Sequence, residues 1–217
     1  LLNSAIGALM SVIAVIFLFI QQQTISSLSS MLYEGLSSLL VLAVMLIFGS
    51  MNTISASSIS IEGKSFWILK SLPIKPIKIL HSKTNLHILI TLPFTLLVGI
   101  CSSIALKLSV INAIIVCIVG AVAVVGFALL GVLSNLRHPN LNWVNEIAVV
   151  KQGLPVFVCM FGSWLFIGIL AGLYFACASI MTATTYLYIV SALIISITAL
   201  EYYLLRTVGI KQFEKLC

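Results

Sequence analysis

The chain has 217 residues, of which 61% are hydrophobic and 7% charged, and its mean hydropathy is +1.25. A typical soluble domain is about 45–50% apolar and 25% charged. The composition therefore excludes a soluble globular protein and predicts an all-α integral membrane protein without room for a soluble catalytic domain. The net charge of +6 lies mainly in loops, and we attribute it to a surface beside anionic lipid rather than to a nucleic-acid site.

Six stretches are long enough to cross a bilayer as helices, which takes about 20 apolar residues each. We predict six transmembrane helices within a single transmembrane domain over 1–217, with spans at about 1–20, 34–57, 85–106, 109–133, 154–177 and 184–205. The first residue is Leu1 rather than methionine, so we expect the chain to be part of a longer polypeptide.

The basic residues give the predicted orientation, because lysine and arginine accumulate in cytoplasmic loops. In the six-span arrangement every lysine and arginine except Lys107 lies on the same side. We therefore expect the cytoplasm to hold both ends of this fragment, the loops at 58–84 and 134–153, and the tail at 206–217. The largest outer connection, 21–32, is polar and uncharged.

The loop after the second span begins with SISIEGKS, Ser58 to Ser65. Its end resembles a phosphate-binding loop, G-x-x-x-x-G-K-[ST], whose first glycine lets backbone amides surround phosphate. Here Ser58 replaces that glycine, and the chain has no aspartate to hold magnesium. We therefore expect this chain to bind no nucleotide.

The same loop predicts a short amphipathic helix from Ile61 to Leu72, lying in the membrane interface as a cytoplasmic helix between the second and third spans. At 100° per residue its apolar face carries Ile61, Phe66, Ile68, Leu69 and Leu72. Its opposite face carries Lys64, Trp67 and Lys70, and Pro73 ends it. Two interpretations stay open, a simple interfacial anchor and a knob that enters a groove of a cytoplasmic partner.

Small residues within the spans predict close helix packing, because they let helix backbones approach in lipid. The fifth span carries such residues at a spacing of four, namely Gly168, Gly172 and Ala176. The fourth span carries Gly120, Gly126 and Gly131. We expect contacts within the chain, with a dimer face or a substrate path as the alternative.

Ionisable residues are scarce inside the predicted spans, which weighs against an ion-coupled carrier or an intramembrane enzyme. Glu201 lies about one turn from Arg206, and we expect both at the cytoplasmic boundary. Asn52 and Asn112 are candidates for bonds between helices, with a substrate contact as the alternative. The three histidines lack zinc-ligand spacing, so we predict no metal site.

Two loop segments resemble one known family. EGKSFWILKSLPI followed by KPIKILHSK resembles the segment between the second and third spans of a six-helix unit in bacterial ABC exporter permeases of the ABC-2-type class. RHPNLNWVNEIAVVKQG, from Arg137 to Gly153, resembles their second cytoplasmic segment. Asn142 stands where that pattern has an acid. With the flanking spans, the resemblance covers most of the chain.

The resemblance implies a permease subunit in the bacterial cell membrane that exports a hydrophobic or amphipathic substrate. It implies a separate cytoplasmic ABC ATPase that carries ATP and magnesium, so this chain is no enzyme and binds no cofactor. It also implies a second permease half or a second copy as partner, with this chain as the C-terminal six-helix half. An ATP-independent carrier and a non-transporting structural or immunity membrane protein stay open.

The resemblance further assigns residues to contacts with the ATPase. The coupling residues it implies are Glu62, Gly63, Lys64, Phe66, Trp67, Lys70, Leu72 and Pro73. The secondary contact residues it implies are Asn142, Trp143, Asn145, Glu146 and Lys151.

Overall fold

The computed structural model describes residues 2–21, 24, 27 and 34–216, without the side chains of residues 2–6, 8, 34 and 146. Every regular element in these residues is helical. The α-helices are α1 Leu2–Ile20, α2 Glu34–Ser50, α3 Ile54–Ser57, α4 Phe66–Ser71, α5 Pro76–Ala105, α6 Val110–Arg137, α7 Glu146–Gln152, α8 Leu154–Cys177, α9 Ala183–Leu204 and α10 Ile210–Lys215. A 3-10 segment covers Ser60–Ser65, and a π-helical turn covers Leu205–Gly209.

Five helical stretches of the described chain are long and apolar enough to cross a membrane, as judged by length and composition. They are Gly35–Ser71, Pro76–Ala105, Val110–Arg137, Ile147–Cys177 and Ala183–Lys215. The chain is thus an all-helical, multi-pass membrane protein. In α1 the apolar segment found is Leu9–Ile20, which is shorter than a span, so the sixth crossing stays a prediction. Most of the outer connection at 21–32 lies outside the described residues.

Helix α6 lies at the centre of the bundle, where it packs against α2, α3, α5 and α9. Ser109 caps it by accepting a hydrogen bond from the backbone N–H of Asn112. A Cβ added at Gly120 would lie 2.3 Å from Met45 Cε, and one at Gly131 would lie 2.0 Å from Ser55 Oγ. The predicted packing role of the glycines in this span is therefore confirmed, because a larger residue at Gly131 would meet the backbone of α3 and one at Gly120 would displace the Met45 side chain of α2.

The small-residue stripe on α8 does not pack within the chain. Gly168, Gly172 and Ala176 are exposed, and a Cβ added at either glycine would meet no atom within 4 Å. The intrachain contact that we predicted for this stripe is therefore wrong for the described residues. The pattern predicted close packing correctly only on the central helix, since α8 lies at the edge of the bundle with most of its residues exposed.

The second predicted span, 34–57, is interrupted after Ser50 and resumes at Ile54. The Asn52 side chain accepts a hydrogen bond from the backbone N–H of Ile54 at 3.3 Å, and its amide donates to the Thr91 hydroxyl on α5. Asparagine side chains that bond to nearby backbone groups compete with helix formation. Asn52 therefore forms the predicted bond between helices and also binds the backbone at the break, which we did not predict.

Candidate docking surface

Asn135, near the end of α6, holds the backbone that follows α3. It is 0% exposed, and its Oδ1 accepts hydrogen bonds from the backbone N–H groups of Ile59 at 2.8 Å and Ser60 at 2.9 Å. Its Nδ2 donates to Ser60 Oγ at 2.8 Å. Buried backbone groups outside regular helices need such partners. Asn135 therefore fixes where the irregular segment before α4 crosses α6.

Trp143 joins the second cytoplasmic segment to the first. Its indole Nε1 donates to the backbone carbonyl of Ser60 at 2.7 Å, across 83 residues of sequence. Gly63 lies against the indole, with φ of 52°, and a Cβ there would be 2.9 Å from Trp143 Nε1. Both the left-handed backbone and the close approach favour glycine. We name Ser60, Gly63, Asn135 and Trp143 the junction.

The predicted helix over 61–72 is not continuous. Gly63 has non-helical backbone angles and kinks the chain within the 3-10 segment Ser60–Ser65, before helix α4 begins at Phe66. A single helical wheel for the whole stretch is therefore wrong. Of the residues that we had placed on its apolar face, Phe66 is buried within the chain, whereas Ile68 and Leu72 are 49% and 45% exposed, as side chains that face lipid also are.

The C-terminal tail packs against helix α4 through Phe66 and Lys70. The Phe66 and Phe213 rings make an edge-to-face contact with centroids 5.3 Å apart, and both side chains are buried. Lys70 Nζ donates to the backbone carbonyl of Glu214 at 3.0 Å and to that of Leu216. Lys70 therefore binds the tail, although we had predicted that it would point toward the cytoplasm.

Trp67 points away from these contacts and is 64% exposed. Lys64, Leu72 and Pro73 are exposed as well. We name the exposed residues Lys64, Trp67, Ile68, Leu72 and Pro73 the docking face. The eight predicted coupling residues thus divide into two sets, since Gly63, Phe66 and Lys70 contact other parts of the chain.

Glu62 belongs with the contacts inside the chain, because its carboxylate forms an ion pair with Lys83 on α5. Both side chains are partly exposed. Such pairs contribute only about 0–1 kcal/mol to stability. The pair therefore orients the 3-10 segment on α5 more than it stabilises the fold.

The remaining residues of the second segment do not reach the junction through their side chains. Asn142, Asn145 and Lys151 are exposed. Asn145 caps α7, with Oδ1 accepting from the backbone N–H of Ile147 at 2.9 Å. The Glu146 side chain lies outside the described residues. Trp143 is thus the predicted secondary residue that the structure brings to the first segment.

Sequence reasoning missed several residues that organise this region. Asn135 was not singled out, although an amide near the end of an apolar helix is a signal for a bond to a neighbouring segment. His87 on α5 is buried, with Nδ1 2.9 Å from Ser55 Oγ on α3. In the described part of the chain, no group of three His, Cys, Asp or Glu side chains is placed to hold a metal ion.

We had expected Glu201 to lie beside Arg206 at the cytoplasmic boundary. Among the described residues, Glu201 forms no ion pair with Arg206. The Arg206 guanidinium lies over the Tyr202 ring, 5.4 Å from its centroid. Glu201, which is partly exposed, instead lines a half-open cavity of about 190 Å³ among the helices. Spacing along one helix could not reveal this, because the cavity is formed with residues of α2, α6 and α8 and because Arg206 lies in the π-helical turn that follows α9.

A scan against protein-family models matched residues 4–210 to the family described as "Putative ATP-binding cassette". Searches of curated proteins and of solved structures found no match. The family match covers nearly the whole chain, including the junction and the docking face, and ends where helix α10 begins. The chain therefore belongs to this family and is related to ABC transporters.

Proposed function

We propose that this chain is the transmembrane permease subunit of a bacterial ABC exporter of the ABC-2-type class. A separate cytoplasmic ATPase supplies the energy, and the exported substrate is hydrophobic or amphipathic. Two observations support this division of labour. The family description refers to an ATP-binding cassette, whereas the present 217 residues consist largely of apolar helices and contain no complete phosphate-binding loop.

The exposed tryptophan on a firmly held short helix is the observation that carries the proposal. Trp67 is 64% exposed, while Phe66 and Lys70 on the same helix are held by α10 and the residues after it. A preorganised helix loses little conformational freedom on binding. Tryptophan is also enriched among residues that dominate interface energies. The docking face thus has the properties of a knob that enters a groove of the ATPase.

The residues predicted for coupling then have two roles. Lys64, Trp67, Leu72 and Pro73 contact the ATPase directly, and Ile68 extends the same apolar face. The buried or paired members Glu62, Gly63, Phe66 and Lys70 position that face. Trp143 joins them as a positioning residue, whereas Asn142, Asn145, Glu146 and Lys151 belong to a secondary contact.

The basic residues support a cytoplasmic position for this surface. Every lysine and arginine except Lys107 falls on its side of the predicted arrangement, as the positive-inside tendency requires. Both ends of the fragment are then cytoplasmic, and the protein lies in the bacterial cell membrane. A second permease half or a second copy of this chain completes the transport path.

The test compares Trp67→Ala with Trp164→Ala, which removes another partly exposed tryptophan, 43% exposed, from α8. Both variants are purified with the cognate ATPase, and substrate-stimulated ATP hydrolysis is measured over a range of ATPase concentrations. A central interface tryptophan contributes about 2 kcal/mol or more, which corresponds to roughly a 30-fold weaker association. We expect that loss for Trp67→Ala and unchanged association for Trp164→Ala.

Full coupled hydrolysis by Trp67→Ala at low ATPase concentration would refute the docking role. Lys64→Glu provides a second variant, because Lys64 is exposed. Lys70→Glu is less informative, since it also disturbs the tail contact.

Substrate movement driven by an ion gradient in vesicles without ATP would favour a carrier instead. A phenotype that persists without any bound ATPase would favour a structural or immunity protein.

A further inference from the structure

The cavity at Glu201 lies among α2, α6, α8 and α9, and its volume is about 190 Å³. Most of its lining is apolar, including Leu46 and Phe166. Three polar side chains also line it, namely Ser163, Thr198 and Glu201. One acidic group and two hydroxyls thus share a small, half-open and mostly apolar cavity, whose lining includes the exposed Gly162.

Gly126 lets these polar groups approach α6. A Cβ at this position would lie 2.8 Å from Thr198 Oγ1 and 3.2 Å from Glu201 Oε2. Gly126 lies near the middle of α6, about 16 Å of helix before Arg137 at ~1.5 Å per residue. The carboxylate therefore lies beside the middle of α6, although its position in α9 is close to the end of that helix.

The Glu201 carboxylate has no ion-pair partner within the residues that the structure describes. The nearest basic residue along the chain, Arg206, instead lies over Tyr202. An ionisable residue in a membrane span normally pairs with another group or marks a substrate path, because an isolated charge there is costly. Glu201 therefore lacks the cation that would offset this cost.

We propose that this cavity binds the primary ammonium group of a membrane-embedded amphiphile, whose apolar tail extends from the cavity into lipid. An ammonium group has three donors and no acceptor, which matches a cavity offering one carboxylate and two hydroxyl oxygens. The charge of the head is balanced by Glu201, and the adjoining methylene groups contact the apolar lining. This proposal deepens the proposed function, on which it rests, by naming the class of substrate.

The size of the cavity fits a head group rather than a whole drug-sized molecule. Its 190 Å³ exceeds the roughly 150 Å³ of an engineered cavity that binds benzene. It is smaller than the about 300–1,000 Å³ of typical small-molecule sites. A calcium ion is a poorer match, because it takes about six to eight oxygen ligands.

The test uses dodecylamine as the probe and dodecanol as a neutral molecule with the same chain. Wild type, Glu201→Gln and Glu214→Gln are reconstituted in nanodiscs of zwitterionic phosphatidylcholine, and bound probe is counted by native mass spectrometry. Glu214 is an exposed carboxylate outside the cavity, so its replacement controls for general charge attraction. We expect Glu201→Gln to lose at least roughly tenfold in dodecylamine affinity, and Glu214→Gln to match wild type.

Two further variants keep the test decisive if Glu201→Gln fails to fold. Thr198→Val replaces a hydroxyl with a methyl group of similar size, and we expect severalfold weaker binding of the amine. Gly162→Leu adds a side chain at the cavity lining, where a new Cβ meets no atom within 4 Å. We expect it to block the amine without unfolding the protein.

Equal dodecylamine binding by wild type and the cavity variants would overturn the proposal, as would equal affinity of wild type for dodecanol. Binding is measured without any ATPase, so this outcome is separate from the docking test. Loss of coupling in Trp67→Ala together with unchanged amine binding by the cavity variants would leave the exporter proposal supported and reject the amine site. Intact coupling in Trp67→Ala with amine binding lost in Glu201→Gln would do the reverse.

Discussion

Replacing Asn135 with alanine tests whether this buried amide holds the segment that carries the docking helix. The substitution removes both hydrogen bonds to the backbone N–H groups of Ile59 and Ser60, together with the bond to Ser60 Oγ. Net contributions of about 0.5–1.5 kcal/mol for each of the two backbone bonds give about 1–3 kcal/mol, or roughly a 5- to 150-fold increase in local opening. Unpaired N–H groups left inside the bundle place the expected effect toward the upper end.

Hydrogen exchange read by mass spectrometry on peptides covering Ile59 and Ser60 measures this opening directly. Exchange there should accelerate by that factor in Asn135→Ala, while peptides from the middle of α6 keep their protection. Asn140→Ala is the matched control, because only the backbone N–H of Asn140 bonds to Ser60 Oγ and its side chain is exposed. Unchanged exchange at Ile59 and Ser60 in a folded Asn135→Ala protein would refute the reasoning.

Two glycine substitutions, with Gly168→Ala as a control, test the close contacts of the bundle by melting temperature in detergent and by exchange. Gly63→Ala combines a positive φ with a Cβ 2.9 Å from Trp143 Nε1, so we expect a cost of about 1–3 kcal/mol and faster exchange over 60–65; unaltered exchange there would contradict it. Gly131→Ala places a Cβ 2.9 Å from the backbone nitrogen of Ala56, and overpacking of this kind costs about 1–3 kcal/mol. The Cβ of Gly168→Ala meets nothing within 4 Å, so this variant should melt at the same or a higher temperature than wild type. An equal loss of melting temperature in Gly131→Ala and Gly168→Ala would reject the packing assignment.

The sequence was a good guide to the helices and to the relation to ABC transporters. Long apolar runs predicted the all-helical membrane architecture, because bilayer thickness imposes a minimum length that composition alone reveals. Glycines on the central helix were correctly assigned to packing. The same pattern failed on α8. The spacing of Gly168 and Gly172 shows that one helix face carries small residues, but not whether a neighbouring helix packs against that face.

The sequence was a poor guide to interruptions and to contacts between distant segments. The helical wheel for 61–72 assumed one axis, whereas Gly63 has a positive φ and lies against Trp143, which is far away along the chain. The break near Asn52 and the role of Asn135 likewise depend on groups supplied by other helices. Local propensity carries little information about such contacts.

The interruption of the second span has a mechanical consequence. Helix α2 ends at Ser50, and regular helix resumes only at Ile54. A displacement of α4 is therefore not transmitted to α2 through one continuous helix. The hydrogen bonds of Asn135 connect the same segment to α6, which runs unbroken from Val110 to Arg137 and also forms one wall of the Glu201 cavity. A movement imposed at the docking face would therefore reach α6 through Asn135. The Glu201 cavity lies a few helical turns from Asn135 along that helix.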